Sequence, residues 1–200
     1  MSTPPAEPPR PDEFTTFMRA YQDMVFSTAA RLTANDAQAE DIAQDVFVRA
    51  FEHFAQLRHS ANAGGWLRTV ARHLTLNYLT RHRRRWRLFS ELRSFEDAVG
   101  TDEAGPEWLL GEASMAETPL AELDGEQRRR SVDEALRQLP DHQRLPLVLY
   151  HFEELSYQQI AQQLRVSLAK VKTDMHRGRL ALLAHFRSHG LAPSAGASGR

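Results

Sequence analysis

The sequence contains no cysteine, which excludes disulfides, thiolate metal sites and cysteine nucleophiles. No apolar run approaches the roughly 20 residues that span a bilayer, and the first residues, MSTPPAEPPRPDE, lack the apolar segment of a secretory signal. Because HExxH, a phosphate-binding glycine loop and a nucleophile-plus-base motif are all missing, we predict no catalytic residue, no metal site and no cofactor. We expect a cytoplasmic protein that does not insert into a membrane.

Net charge is also nearly absent, at −1 over 200 residues, but the charges are strongly segregated. Residues 66–87 hold seven Arg and no acid, whereas residues 88–127 hold eleven acids against one Arg, a net charge of −10. Residues 165–187 return to +5. Since segregation of this kind bears on partners more than on fold, we predict two surfaces that face a polyanion, separated by an acidic segment.

Apolar residues recur at helical spacing through most of the chain, and neither strand-like alternation nor a long repeat competes with that pattern. We predict an all-α protein of two small helical domains, residues 12–87 and 128–187, the second containing a helix-turn-helix. Residues 88–127 are rich in Gly, Pro, Ser and acids and are predicted to form a flexible acidic linker. Residues 1–11 are predicted to be a disordered arm and residues 188–200 a flexible tail.

The first domain is predicted to hold helices over residues 12–31, 37–54 and 66 to about 85, with a turn-forming stretch at residues 58–65. In the second helix, apolar side chains recur along one face: Ile42, Val46, Phe47, Ala50, Phe51 and Phe54. The residues left facing outward are Glu40, Asp41, Gln44 and Asp45. This acidic side is either a docking surface or an ordinary solvated helix face.

The third helix combines an apolar face with a dense basic end. The residues predicted to form its core face are Trp66, Val70, Leu74 and Tyr78. The residues predicted to point away from that core are Arg68, Arg72, Thr75 and Arg83. Its last turns, RHRRRWR at residues 81–87, concentrate five Arg in seven residues, which would repel one another without an anionic partner. We therefore favour nucleic-acid contact here over a solvated surface helix.

The stretch SYQQIAQQLRVSLAKVKTDMHRGR, residues 156–179, predicts two short helices joined by a tight turn. Ser156 and Gln159 fit a capping box at the first helix, and Ser167 is placed to cap the second. Only residues 165–167 separate the helices. This is the spacing of a helix-turn-helix.

Two residues in this stretch are unusual for a helix-turn-helix. Arg165 occupies the turn position that usually carries Gly, so a left-handed backbone there would be strained by about 1 kcal/mol. Asp174 interrupts the basic second helix. It lies about 130° around the helix from the centre of the basic side, and we expect its carboxylate to pair with Arg177 or Lys170.

At about 100° per residue, the second helix of this stretch separates an apolar side from a basic side. The apolar side gathers Leu168, Val171, Met175 and Leu182. The basic side gathers Ala169, Lys172, Thr173, His176 and Arg177. We predict that Lys172 and Thr173 reach base edges in a DNA major groove, while Lys170 and Arg177 bind bases or phosphates. The alternative is a solvated basic face.

Three blocks, in their order along the chain, resemble the extracytoplasmic-function (ECF) sigma factors of bacteria: AEDIAQDVFVRAF, GGWLRTVARHLTLNYLTRHRRR and LRQLPDHQRLPLVLYHFEELSYQQIAQQLRVSLAKVKTDMHRGRLAL. The resemblance covers residues 12–187. It implies a factor that binds core RNA polymerase, on the clamp helices of the largest subunit, and directs it to promoter DNA. It also implies an anti-sigma factor as a partner.

The resemblance assigns roles to individual residues of both domains. Those implied in polymerase binding are Glu40, Asp41, Gln44 and Asp45. Those implied in binding the minus-ten element are Arg68, Arg72, His73, Asn77, Arg81 and Arg83. The loop at residues 59–65 would receive an unstacked base of that element. Those implied in reading the minus-thirty-five element are Lys170, Lys172, Thr173, His176 and Arg177.

Two other functions compete with this interpretation. Asp41 and Asp45, four residues apart with Glu40 adjacent, would suit a divalent metal in a nucleic-acid-cleaving enzyme, but no catalytic motif accompanies them. A helix-turn-helix regulator that never joins the polymerase would explain the second basic surface. It would leave the acidic helix side and the arginine-rich helix of the first domain without a role, so we favour the sigma factor.

Overall fold

The computed structural model describes the backbone of residues 11–90 and 124–191, with the side chains of residues 12–81 and 124–191. Each of the two ranges belongs to its own compact unit. Every regular element in these ranges is an α-helix, as the sequence predicts. No helix within the described residues is both long and apolar enough for a membrane span. Most of the predicted arm, most of the predicted linker and most of the predicted tail lie outside the described residues, but Pro11, which was predicted to end the arm, is helical.

Over residues 11–90, the first unit holds four helices: α1 Pro11–Thr33, α2 Asp36–Glu52, α3 Phe54–Leu57 and α4 Ala63–Ser90. Each of the long helices α1, α2 and α4 contacts the other two, so the three close around one core. The buried residues of that core include Val25, Ala29, Ile42, Val46, Ala50, Leu67 and Ala71. Its many alanines allow the helices to approach closely, because interaxial distance depends on side-chain size at the contact.

Helix boundaries in the first unit differ from the sequence prediction in two places. The helix predicted over residues 37–54 ends at Glu52, where the backbone N–H of His53 donates to the carbonyl of Arg49, and Phe54 belongs to α3. α4 begins at Ala63, so the end of the predicted turn is already helical. Gly64 permits this early start, since a Cβ there would lie 3.2 Å from the ring of Tyr21 on α1.

The buried face of α4 lies one residue away from the predicted face. The residues that are fully buried are Ala63, Leu67, Ala71 and Thr75. The predicted core residues, Trp66, Val70, Leu74 and Tyr78, are partly buried and pack at the edge of the core. The prediction that Thr75 points outward is therefore wrong, and its hydroxyl is satisfied inside the core by donating to the carbonyl of Ala71 at 2.7 Å.

The second unit also holds four helices within the described residues: α5 Gly125–Arg137, α6 Asp141–His151, α7 Tyr157–Leu164 and α8 Leu168–Ser188. α8 contacts each of the other three and is the centre of the unit. The fully buried side chains around it include Leu145, Val148, Leu149, Ile160, Val171 and Met175. Helices α4 and α5 extend slightly into the predicted linker, which was taken to begin at Leu88 and end at Gln127.

One predicted core residue of α8 is not buried. Leu168 is 36% exposed, and all of residues 165–170 are exposed with it. The turn and the first turn of α8 therefore project beyond the packed part of the unit, which explains why an apolar residue at this position does not reach the core. This projection leaves the beginning of α8 accessible to a partner.

Glycine allows α8 to lie very close to α6. A Cβ added at Gly178 would stand 2.7 Å from the Cδ1 atom of Leu147 and 3.3 Å from the backbone oxygen of Gln143. Contacts this short would force side chains or backbone to move, so only glycine permits the observed approach. α6 itself starts directly after Pro140 and contains Pro146 in its interior.

Candidate nucleic-acid interface

Helices α7 and α8 form the predicted helix-turn-helix, and a serine caps each helix. At α7, Ser156 Oγ accepts the backbone N–H of Gln159 at 3.3 Å, and Gln159 Oε1 accepts the backbone N–H of Ser156 at 2.8 Å. At α8, Ser167 Oγ accepts the backbone N–H of Lys170 at 3.1 Å. The predicted capping box is confirmed, so hydrogen bonds between near neighbours determine both helix starts.

The turn between these helices passes through a left-handed residue. Arg165 has φ 56° and ψ 45°, and its backbone N–H donates to the carbonyl of Ala161 to end α7. The N–H of Val166 donates to the same carbonyl at 3.1 Å. The strained conformation predicted from the missing Gly is thus present, at a cost of about 1 kcal/mol.

The predicted basic side of α8 faces solvent. Lys172, Thr173 and Arg177 are exposed, and His176 is half-buried. The hydroxyl of Thr173 donates to the carbonyl of Ala169 at 3.1 Å, so toward a partner this residue offers oxygen lone pairs and a methyl group. A projecting helix with this exposed edge matches the shape and charge that a DNA major groove admits.

Asp174 lies on the buried side of α8, away from the basic side. The residue is 3% exposed, close to the fully buried Val171 and Met175 in sequence and on the same side of the helix. Its Oδ1 atom lies 2.8 Å from Nζ of Lys170, whose side chain is 49% exposed. Of the two partners expected from the sequence, the structure selects Lys170.

A three-residue cluster ties α6, α7 and α8 together, and the sequence did not reveal it. Arg179 Nη2 donates to Tyr157 Oη at 3.4 Å, and the guanidinium carbon lies 5.9 Å from the ring centroid of Tyr150. The two tyrosine rings lie 5.0 Å apart. Because each residue belongs to a different helix, no spacing along the chain indicates that they meet.

The second predicted basic surface lies on α4. Its exposed residues are Arg68, His73, Asn77 and Arg81, and Arg72 is half-buried. The side chain of Arg83 lies outside the described residues. His73, Asn77 and Arg81 follow one another at four-residue spacing and therefore form one row along the helix.

The predicted base-receiving loop at residues 59–65 is shorter than the sequence suggests, because its last three residues belong to α4. Asn62 stands at the new boundary, and its carbonyl accepts the N–H of Trp66 at 3.0 Å. A Cβ at Gly65 would lie 2.4 Å from Oδ1 of Asn62, so glycine makes room for that side chain. A base entering here would meet residues 58–62 and the first turn of α4.

The acidic side of α2 is exposed as predicted, at Glu40, Asp41, Gln44 and Asp45. Two large apolar side chains further along the same helix are also exposed: Val48 at 61% and Phe51 at 53%. Phe51 was predicted to lie in the core, but its ring only meets Phe14 edge to face, with centroids 5.0 Å apart. We call these six residues the α2 face, an acidic region next to an apolar one.

Within the described residues, no group of three or more His, Cys, Asp or Glu side chains is placed to hold a metal ion. Val48 could have been noticed from the sequence, since it falls outside the helical spacing of the buried residues Ile42, Val46 and Ala50. An exposed apolar residue beside charges is a feature of protein interfaces.

Comparison with known proteins places both units in one family. The model of sigma-70 region 2 matches residues 17–85, and the model of sigma-70 region 4 matches residues 129–182. The RNA polymerase sigma factor YlaC of Bacillus subtilis is 32% identical over 171 residues, which are 86% of this chain and 90% of that protein. The chain belongs to the ECF RNA polymerase sigma factors. The sigma-factor interpretation is thereby confirmed, and a regulator that acts without the polymerase is not favoured.

Other relatives of this sigma factor agree. The ECF sigma factor SigW of Bacillus subtilis is 27% identical, over 88% of this chain and 90% of that protein. The ECF sigma factor SigE of Mycolicibacterium smegmatis is 31% identical, over 86% of this chain and 61% of that protein. Among solved structures, the sigma factor RpoE in complex with the anti-sigma factor NepR from Bartonella quintana has a TM-score of 0.46 and 19% identity, over 88% of this chain and 98% of that chain.

The family matches cover all three exposed surfaces of the sigma factor. The region 2 match includes the α2 face and the described part of the α4 row, and the region 4 match includes the helix-turn-helix. As a sigma factor, the protein is a transcription initiation factor.

Proposed function

We propose that this sigma factor binds core RNA polymerase through the α2 face and places the exposed sides of α4 and α8 on promoter DNA. The observation that carries the proposal is the presence, in one chain, of an exposed acidic and apolar helix side together with two exposed basic helix sides, each inside a family-matched region. A DNA-binding regulator would need the basic sides alone.

The α2 face has the composition of a docking surface. Val48 and Phe51 would be buried against the clamp helices of the polymerase, and removing their exposed apolar surface from water would favour the complex. The acidic residues Glu40, Asp41 and Asp45, together with Gln44, would border them on the preceding turns of α2. Charges around an apolar centre raise the association rate and select the partner by sign.

The exposed side of α4 would bind the minus-ten element. Arg68, Arg72 and Arg81 would contact phosphates, and each neutralised phosphate makes binding more sensitive to salt. His73 and Asn77, in the same row as Arg81, would lie nearest the bases. Arg83, on the same helix, belongs to the same predicted set.

The exposed side of α8 would read the minus-thirty-five element. Lys172 donates to guanine acceptors in the major groove, where one good base contact discriminates by about 1–3 kcal/mol. Thr173 presents an acceptor oxygen and a methyl group, which suit an exocyclic amine or the methyl of thymine. Arg177 and the half-buried His176 would contact bases or phosphates next to them.

The polymerase would make two weak DNA contacts act together. When both units are held at a set spacing, binding of one raises the effective concentration of the other, so the two affinities multiply. A factor of core polymerase works in the cytoplasm, where that enzyme is. An anti-sigma factor would regulate it by covering a surface such as the α2 face.

The test is transcription by purified core polymerase, with and without this protein, on a library of promoter fragments. We expect initiation at a defined set of sequences only when the protein is present, together with a complex on gel filtration. Unchanged transcription and separate elution of protein and polymerase would contradict the proposal.

A further inference from the structure

The first turns of α8 contain an ion pair whose two members have very different surroundings. The Asp174 side chain is 5% exposed and lies on the core side of the helix, whereas the Lys170 side chain is 49% exposed, with Nζ 2.8 Å from Oδ1 of Asp174. The residues are one helical turn apart, so the pair forms within α8 itself. Among the described residues, this is the ion pair that satisfies Asp174.

A buried carboxylate constrains its partner strongly. If Asp174 lost its cation, its negative charge would remain buried and unpaired inside the unit. Such a loss costs far more than breaking an ion pair between two exposed side chains. Lys170 can therefore leave Asp174 for a DNA phosphate only at a large cost. Lys170 can also stay beside Asp174 and share its ammonium group with a DNA phosphate, but the pair of Lys170 and Asp174 then carries no net charge.

Both situations have the same consequence for DNA binding. Binding to DNA weakens as salt rises, and the steepness is the slope of log K against log salt concentration. Each DNA phosphate that the protein neutralises adds about 0.9 to the magnitude of this slope. A neutral pair adds nothing to that slope. Lys172, two residues further on, is exposed and forms no ion pair with another described residue, so its positive charge is available to DNA.

We propose that Asp174 withdraws Lys170 from the DNA-binding charge of α8, so that Lys172 and Arg177 carry the contacts of this helix. The inference rests on the proposed function, and it revises the assignment of Lys170 that the sequence suggests. Because non-specific binding is almost wholly electrostatic, a withdrawn lysine lowers affinity for random DNA more than affinity for the promoter. Asp174 is then a specificity-determining residue that touches no DNA.

The experiment measures binding of the holoenzyme to a promoter fragment and to a random duplex over a salt series. The deciding variant is Lys170→Met combined with Asp174→Asn, which removes the neutral pair and leaves no buried charge. We expect its promoter affinity to stay within about twofold of the original and its salt slope to be unchanged. Lys172→Met is the matched control, for which we expect about a tenfold loss of promoter affinity and a slope lower by about 0.9.

Asp174→Asn alone gives the opposite prediction. It frees Lys170, so the salt slope should rise by about 0.9 and affinity for the random duplex should rise several-fold, which reduces the preference for the promoter. If circular dichroism shows that this single variant does not fold, the double variant, Lys170→Met with Asp174→Asn, still tests the inference.

Three outcomes are informative in different ways. A double variant that loses affinity and slope as Lys172→Met does would show that Lys170 contacts DNA from within the pair, and would overturn the inference. A folded Asp174→Asn variant with an unchanged slope, in an experiment in which Lys172→Met does lower the slope, would also overturn it. If Lys172→Met and the other variants all behave like the original protein, α8 does not bind DNA, and that part of the proposed function fails instead.

Discussion

Helices α4 and α8 both carry a basic exposed side, but they acquire their orientation in different ways. The orientation of α8 depends on caps and a turn made by near neighbours, Ser156, Ser167 and Arg165. The buried face of α4, by contrast, is chosen by packing against α1 and α2. The exposed side of α8 was therefore predicted correctly, whereas the core face of α4 was predicted one residue away.

The two helices also differ in how their charge is controlled. Residues 66–87 contain no acid, so no carboxylate of α4 itself reduces its positive charge in that stretch. In α8, buried Asp174 neutralises Lys170. A helix that must contact many phosphates gains from undiminished charge, whereas a helix that discriminates between sequences gains from less non-specific attraction.

The strongest test of this comparison is the orientation of α4. Thr75→Arg should lower the free energy of unfolding by about 4 kcal/mol or prevent folding, because the new charge would be buried in the core. Urea unfolding followed by circular dichroism measures the change. Thr80→Arg is a matched control, since Thr80 is exposed and makes the same kind of bond, to the carbonyl of Leu76. Equal effects of the two substitutions would place Thr75 on the outer side, as the sequence suggested.

The next largest effect is expected on the α2 face, which we propose as the polymerase-binding surface of the first unit. Asp41→Arg combined with Asp45→Arg should weaken binding to core polymerase about 100-fold, or roughly 2.7 kcal/mol, because two exposed charges change sign inside the proposed interface. Fluorescence anisotropy with labelled protein measures the dissociation constant. Asp23→Arg, on the exposed side of α1, is the control and should bind normally. Normal binding by the double variant would remove the α2 face from the interface.

A smaller effect should show that the second unit also depends on tertiary packing. Gly178→Val should lower the free energy of unfolding by about 2 kcal/mol, because a branched side chain cannot fit between α8 and α6. Gly125→Ala, where a Cβ would meet nothing within 4 Å, should change stability by less than about 1 kcal/mol. Thermal unfolding of both variants gives the comparison. A neutral Gly178→Val would mean that the two helices can separate without cost.

The smallest effect concerns the turn that orients α8. Arg165→Gly should raise the free energy of unfolding by about 1 kcal/mol, because glycine adopts the left-handed conformation without strain. Gln162→Gly, in the right-handed interior of α7, should lower it by about the same amount. Urea unfolding distinguishes the two signs. A destabilising Arg165→Gly would show that the arginine side chain contributes more than its backbone costs.

Errors in the sequence-based prediction have a common physical origin. Phe51 and Leu168 are large and apolar and were placed in the core, but one sits beside α1 at the surface and the other in a projecting turn. Thr75 was predicted to point outward, and the small residues Ala63 and Ala71 were not singled out, yet all three are fully buried. A prediction from helical periodicity assigns large apolar residues to the core. Where two helices pack closely, however, the buried positions favour small residues.

By itself, the sequence determined the helical class, the two units, the caps of the helix-turn-helix and the family, because these depend on periodicity, on hydrogen bonds between residues three or four apart and on motif order. Only the tertiary structure decided which side of α4 is buried, that Val48 and Phe51 are exposed, and that Asp174 turns inward to hold Lys170. Those outcomes depend on which helix packs against which. A helical period leaves the rotation of a helix uncertain by about one residue, and packing against the neighbouring helices removes that uncertainty.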